Sequence, residues 1–175
     1  MSNIYQKWLK SGNEMDTESP KFRGTSFHSM DSKGRFAVPA RFKDPVRLSG
    51  GKLFITWFEG ALYAYPPAKW AQIEQKFQDF QDIPLDMLQL TRFFLGGIEE
   101  CVSDNQNRIL IPQKLRQYAK LKKDIVLIGQ TDYFQIWSRK RYDRDIEKWM
   151  DGEVDEHAKG LKSLEVRNII FKLVT

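Results

Sequence analysis

The sequence has few of the residues on which secreted proteins and metal sites depend. It contains one cysteine and two histidines among 175 residues, which excludes an internal disulfide framework. No run approaches the ~18 consecutive apolar residues of a membrane span, and the beginning of the chain lacks the apolar segment of a signal peptide. Neither a glycine-rich phosphate loop nor a nucleophile elbow is present. We therefore expect a cytoplasmic protein with no membrane partner and no enzymatic activity.

Positive charge is concentrated in the middle of the chain. Residues 21–150 hold 22 of the 28 basic residues but only 15 of the 23 acidic ones, and the two ends are each slightly acidic. A basic central region favours an acidic polymer such as nucleic acid as the partner. Many soluble proteins have a comparable balance, so the charge alone supports this interpretation only modestly.

A tight turn is predicted where the chain reads Asp-Ser-Lys-Gly-Arg. Asp31 can accept hydrogen bonds from backbone groups a residue or two further on, and Gly34 supplies the positive φ that such a turn needs. Lys33 and Arg35 lie at the turn, where their charges can point outward. The next three residues predict a short strand, and Pro39 predicts the beginning of a helix.

The same pattern occurs a second time, 73 residues further along the chain. In residues 104–115 the aspartate, the arginine, the apolar strand and the proline recur in register. Gly34 is replaced by Asn107, the non-glycine residue that most readily adopts the left-handed conformation. The correspondence extends beyond the motif, since Gly24 matches Gly97 at the same offset. A repeat of this length predicts one supersecondary unit used twice, with pseudo-two-fold symmetry.

These motifs resemble the MraZ family of bacterial transcription regulators. The resemblance rests on the Phe-Arg-Gly start at 22–24, the two turns with their Val-Pro and Ile-Pro steps, and Leu95-Gly96 between them. It covers residues 21–150, and two ordered motifs at a fixed spacing are more specific than either alone. The resemblance implies a swapped-hairpin barrel, a ring-shaped homo-oligomer, and sequence-specific binding to repeated double-stranded DNA sites upstream of the division and cell-wall genes.

We therefore expect an α+β fold, mainly β, in which two AbrB-like repeats form a pseudo-two-fold swapped-hairpin barrel with flanking helices. No cofactor, metal or small-molecule substrate is expected, and the protein is expected at the nucleoid. The predicted division of the chain is a flexible N-terminal arm (1–20), the first repeat (25–72), connecting helices (73–99), the second repeat (100–143), and a C-terminal helix with a variable tail (144–175).

Apolar patterns predict the elements that follow each turn. Leu53–Phe58 and Ala61–Tyr65 predict a hairpin, and the helical spacing of four apolar residues from Trp70 to Phe80 predicts an amphipathic helix. The helix predicted to begin at Pro84 is apolar nearly all round. It belongs either to the core or to a subunit interface, and the sequence gives both equal weight.

The residues with which the chain is expected to contact DNA are basic. Phosphate contacts position a protein on DNA, and an arginine in the major groove can read guanine with two hydrogen bonds. The leading candidates are Arg35, Lys33 and Arg108, with additional phosphate contacts from Arg23, Arg41 and Lys43. The residues expected to shape the turns are Asp31, Gly34, Asp104 and Asn107.

Two alternatives remain open for these residues. Arg35 could serve only to pair with Asp31 and hold its own turn, and both roles can coexist. The second turn lacks the lysine and the glycine of the first, so it could be mainly structural. The whole protein could instead be an AbrB-like antitoxin that binds DNA and also a protein partner, with Leu161–Val174 as the partner-binding arm.

Catalytic and metal sites are poorly supported. A proton-sharing pair formed by Asp31 and Asp104 would need the Asp-Thr/Ser-Gly turns of aspartic proteases, and neither turn has that sequence. His28 and Cys101 occupy equivalent repeat positions, yet two ligands without two more do not make a zinc site. A buried thiol and a hydrogen-bonded histidine are the expected structural roles.

Overall fold

A computed structural model describes residues 20–79, 85–151 and 172. Within these residues the fold is α+β and consists mainly of strands, as predicted. Residues 1–19 of the predicted arm (1–20), Phe80, Pro84 and nearly all of the tail beyond Asp151 lie outside the described residues. In the described part, no helix is long and apolar enough to cross a membrane.

Eight strands and five helices occupy the described residues. The strands are β1 (Thr25–Ser29), β2 (Arg35–Ala37), β3 (Lys52–Phe58), β4 (Ala61–Tyr65), β5 (Glu99–Val102), β6 (Arg108–Leu110), β7 (Asp124–Gly129) and β8 (Phe134–Ser138). The helices are α1 (Ala40–Leu48), α2 (Pro67–Asp79), α3 (Leu85–Gly96), α4 (Gln113–Tyr118) and α5 (Arg139–Met150).

Six strands form one antiparallel sheet in the order β1-β7-β8-β4-β3-β5. The first strand of each repeat pairs with the other repeat, because β1 lies beside β7 and β5 lies beside β3. If each strand is replaced by its equivalent in the other repeat, the same strand order is read from the opposite edge of the sheet. Among the described residues β1 and β5 are the edges of the sheet, so backbone hydrogen bonds do not close it into a barrel. The remaining strands, β2 and β6, pair in a separate two-stranded ribbon.

The two faces of the six-stranded sheet carry different layers. On one face the ribbon, α1 and α4 bury Phe36, Phe42 and Leu115 against alternate sheet residues. On the other face α2 and α3 bury an aromatic cluster that includes Trp70 and Phe94. The ribbon and its turns therefore lie on the opposite side of the sheet from α2 and α3.

Local signals account for the boundaries of most elements. The β3–β4 hairpin turns at Glu59 and Gly60, which both have positive φ, 47° and 73°, as a two-residue hairpin of this twist requires. Helices α1 and α4 begin directly after Pro39 and Pro112, whose φ values of −58° and −54° are preset by the ring. Pro39 was predicted to open its helix, and that helix begins one residue later.

Helix α3 differs between its two sides. Phe94 is buried, and its carbonyl accepts a 2.6 Å hydrogen bond from the Thr56 hydroxyl on β3. Phe93 is 56% exposed and Leu88 is 40% exposed. One side of the helix therefore belongs to the core, while large apolar side chains remain on its surface.

Candidate nucleic-acid interface

The ribbon formed by β2 and β6 places two arginines on one outward face. Phe36 pairs with Ile109 and both are fully buried on the inner face. Arg35 pairs with Leu110 on the other face, and Arg108 pairs there with Ala37. Because the strands are antiparallel, the two arginines lie at opposite ends of the ribbon, about two residues or ~7 Å apart along the strand direction.

The first turn is held by its own aspartate. The Oδ1 of Asp31 accepts backbone hydrogen bonds from Lys33 at 3.0 Å and Arg35 at 2.9 Å. Its Oδ2 accepts a 2.7 Å hydrogen bond from the Nε of Arg35. The backbone closes the turn further, with Gly34 donating to the carbonyl of Asp31 at 2.9 Å. Arg35 is therefore held in a fixed position at the end of the turn.

The second turn repeats these bonds almost atom for atom. The Oδ1 of Asp104 accepts backbone hydrogen bonds from Gln106 and Arg108, both at 2.9 Å. Its Oδ2 accepts from the Nε of Arg108 at 2.8 Å, and Nη2 lies 2.7 Å away. Asn107 adopts the predicted left-handed conformation, with φ of 55° where Gly34 has 87°. The alternative role of each arginine as a partner of its own turn is thus realised in both repeats.

Hydrogen bonding to the ionised form lowers the pKa of both carboxyl groups. The pKa of Asp31 falls from 3.8 to about 2, first because the Arg35 backbone amide donates to the carboxylate. The pKa of Asp104 is also lowered, and there the largest cause is the side-chain hydrogen bond from Arg108. Both carboxylates consequently stay ionised, and keep their arginines in place, to a lower pH than an ordinary aspartate would.

The turns are also bonded across the repeat boundary. The carbonyl of Asn107 accepts from the Val38 amide at 2.9 Å, and the carbonyl of Gly34 accepts from the Ile111 amide at 3.0 Å. Each turn is therefore fixed by the strand of the other repeat, so the two turns and the ribbon form one unit.

Comparison with known sequences agrees with this two-turn arrangement. The family model described as "MraZ protein, putative antitoxin-like" matches the chain twice, over residues 21–90 and 94–162. The chain belongs to the MraZ family. Each match of this MraZ model contains one of the two turns, so the family model matches the same two repeats that the structure shows.

Several MraZ relatives have been named as transcriptional regulators. The chain is 47% identical over 125 residues to the Transcriptional regulator MraZ of Desulforapulum autotrophicum, covering 71% of this chain and 84% of the relative. It is 44% identical over 135 residues to that of Desulfosudis oleivorans, covering 77% and 92%. That of Acidithiobacillus ferrooxidans is 41% identical over 138 residues, covering 75% and 91%.

The other predicted basic residues lie outside the two turn segments. Arg23 is exposed just before β1, and the Nη1 of Arg41 lies 3.5 Å from the carbonyl of Thr25. A methyl group placed on Gly24 would come 2.5 Å from that Nη1, so Arg41 lies against the start of β1. Lys43 is exposed on α1. By contrast, Lys33 lies in the first turn itself.

The groups considered for catalysis and metal binding are kept apart. Asp31 and Asp104 lie in turns at opposite ends of the ribbon, and each is bonded to its own arginine. His28 lies on β1 and Cys101 on β5, the two edges of the sheet. The thiol is buried, which raises its pKa to about 12, and His28 Nε2 lies 2.9 Å from the Ser26 hydroxyl. The described residues include no group of three or more potential ligands that could hold a metal ion.

One residue at the first turn was missed by the sequence analysis. Arg116, on α4, packs its guanidinium against Gly34. The repeat offset of 73 relates it to Lys43, which was a candidate, so carrying that candidate into the second repeat would have found it. The contact itself crosses the repeat boundary, and no local pattern indicates it.

Proposed function

We propose that this chain is a sequence-specific DNA-binding transcription regulator whose β2–β6 ribbon enters the major groove. The observation that carries the proposal is the outward face of the ribbon, where Arg35 and Arg108 stand at opposite ends and are held by hydrogen bonds. A two-stranded ribbon fits the major groove of B-DNA, and arginine is the usual reader of guanine there. The names of the MraZ relatives support the same class of function.

The aspartates make this arrangement suitable for recognition. A free arginine loses side-chain entropy when it binds, whereas the bond between Nε and the aspartate has already ordered Arg35 and Arg108. Both Nη groups of Arg35 and the Nη1 of Arg108 are the donors offered to a guanine or a phosphate, since the Nη2 of Arg108 lies 2.7 Å from Asp104 Oδ2. The proposed phosphate contacts, which set the position of the ribbon without reading sequence, are Lys33, Arg23, Arg41 and Lys43.

We further propose that the two repeats form the swapped-hairpin barrel of AbrB-like proteins and that the protein assembles into a ring. The exchange of β1 and β5 between repeats supports the first part. A ring would present several ribbons to repeated DNA boxes, and simultaneous engagement raises the overall affinity without new contacts. The proposed division keeps an arm (1–20), two repeats (25–72 and 100–143), connecting helices (73–99) and a terminal segment (144–175).

The proposed targets are promoter boxes of the division and cell-wall gene cluster, including the protein's own promoter, with repression as the outcome. The proposed location is the cytoplasm, at the nucleoid. No cofactor or small-molecule substrate takes part, because the binding chemistry proposed here needs only arginine, lysine and backbone groups.

A second candidate function follows from the family description. The matching family model is itself described as antitoxin-like, so a protein partner in addition to DNA is the alternative. The predicted arm for such a partner, Leu161–Val174, lies almost wholly outside the described residues. Binding of a protein partner that is lost when this segment is removed would favour the antitoxin function.

The regulator proposal is tested by fluorescence anisotropy on the DNA upstream of the protein's own gene and on a scrambled duplex. We expect tight binding to the first and weak binding to the second. Arg35→Ala should weaken specific binding by about 1–3 kcal/mol, the value of a bidentate arginine–guanine contact. Lys140→Gln, an exposed charge change on α5, is the matched control and should bind like wild type.

Two results would contradict the proposal. Equal affinity for both duplexes would show that the ribbon does not read sequence. An Arg35→Ala protein that binds normally but melts at a lower temperature would show that this arginine serves only its own turn, and the partner-binding alternative would then be favoured.

A further inference from the structure

A cation from the second repeat covers the first turn. A methyl group placed on Gly34 would come 2.6 Å from the Cζ of Arg116 and 2.7 Å from its Nε. Gly34 is buried even though Asp31, Ser32 and Lys33 beside it are exposed. The guanidinium of Arg116 therefore rests directly on the backbone of the turn, in space that only glycine leaves open.

Within the described part of the chain, this guanidinium has no carboxylate partner like those of Arg35 and Arg108. Arg35 and Arg108 each donate Nε to the aspartate of their own turn. The Nε of Arg116 is buried and has no hydrogen-bond acceptor among the residues that the structure describes. A partly desolvated cation without a counter-ion is costly. An anion from outside the described chain would meet this guanidinium at its Nη groups, because Nε is buried, and would offset that cost.

The charge around the two turns is consequently unequal. The first turn combines Lys33, Arg35 and Arg116 with a single carboxylate, Asp31. At the second turn Gln106 replaces the lysine, and the exposed Asn107 side chain stands where Gly34 has none. The repeat equivalent of Arg116 is Lys43, which is exposed, whereas Arg116 is half-buried.

We propose that Arg116, supplied by the second repeat, is a third cation of the first turn and binds a DNA phosphate, and that the first turn is the principal DNA contact. This inference rests on the proposed function. It adds Arg116 to the DNA contacts and ranks the first turn above the second. A guanidinium suits a phosphate because its planar N–H groups match two phosphate oxygens. Its position is fixed beforehand by packing on Gly34, so little ordering is needed on binding.

The test is a salt titration of binding to the upstream duplex. Each phosphate contact that is lost lowers the magnitude of the slope of log K against log salt by about 0.9. Arg116→Gln should lower the slope by that amount and weaken binding about tenfold. Arg116→Lys should keep the slope, because it keeps the charge. Arg116→Met, whose apolar chain can still pack on the turn, gives a second variant without charge should the glutamine variant fold poorly.

Lys140→Gln is again the matched control, because it removes one exposed positive charge from α5. This helix packs on the other side of the sheet, where its Arg141 guanidinium lies 5.2 Å from the ring centre of Trp137. The control should keep both the wild-type slope and the wild-type affinity. Melting temperatures of all variants separate a loss of folding from a loss of binding.

The outcomes distinguish this inference from the function on which it rests. If wild type prefers its upstream duplex and the charge-free Arg116 variants keep the wild-type slope, Arg116 is structural and the inference is wrong, while the regulator function stands. If wild type shows no preference between duplexes, the proposed function fails. The slopes on either duplex then still decide whether Arg116 contacts phosphate.

Discussion

The two turns of the ribbon share their bonding but differ in their surroundings. Both have an aspartate that accepts two backbone hydrogen bonds and one from arginine Nε. Gly34 in the first is covered by Arg116, whereas Asn107 in the second is exposed. The shared bonds define what the fold needs from each turn. The side chains that differ are not needed to form the turn and can therefore serve binding. They give the first turn more positive charge than the second.

The largest expected effect tests what the repeats share. Phe36 and Ile109 occupy equivalent positions, pair with each other and are fully buried. Phe36→Ala should lower the free energy of unfolding by about 3–5 kcal/mol and Ile109→Ala by about 2–5 kcal/mol. Urea denaturation should give one cooperative transition in both variants, because the ribbon belongs to both repeats. Leu110→Ala, on the outer face and half exposed, should stay within about 0.5 kcal/mol of wild type.

A biphasic transition in either of these variants would contradict the shared ribbon. It would show that one repeat can unfold while the other stays folded, which the strand exchange should prevent.

A smaller effect tests the difference between the turns. Gly34→Ala should cost about 1–3 kcal/mol, because φ of 87° strains an alanine and its methyl group meets Arg116. Asn107→Gly should stay within about 0.5 kcal/mol, since glycine adopts φ of 55° freely but gains entropy when unfolded. Urea denaturation measures both values.

A double-mutant cycle separates the two causes at Gly34. In an Arg116→Ala background, Gly34→Ala should cost less than in wild type, because only the backbone strain remains. Equal costs in both backgrounds would show that the packing of Arg116 on the turn contributes nothing to the effect.

The smallest effect concerns pH and tests the bonds that both turns contain. The pKa of Asp31 is lowered to about 2 from an ordinary value of 3.8, and that of Asp104 is lowered too. A lowered carboxyl pKa stabilises the folded state above the unfolded value, so this contribution is complete above about pH 4 and is lost as the pH falls towards 2. Asp31→Asn should therefore make the melting temperature fall less steeply over this range.

Adding Asp104→Asn should flatten the profile further. A single variant whose curve has the wild-type shape, merely displaced to lower temperature, would contradict the assignment of this acid sensitivity to the turns.

Local chemistry made much of the fold predictable. Gly34, Asn107 and Pro39 each mark a turn or a helix start through their own φ preference, and the repeat offset linked the two halves. The pairing of β1 with β7 depends on contacts between distant residues, which no local pattern contains, and only the family resemblance implied a swap. Arg116 was missed for the same reason, because its partner Gly34 lies in the other repeat.

The strand exchange has a consequence for how the chain folds during synthesis. Thr25 pairs with Ile128, so the first strand has no partner until more than half of the protein has been made. At about 5–20 residues per second, the ribosome takes several seconds to add the ~100 residues in between. Contacts of such long sequence separation also slow folding. The first repeat thus emerges as an unfinished half, and the arrival of β7 and β8 completes both halves together.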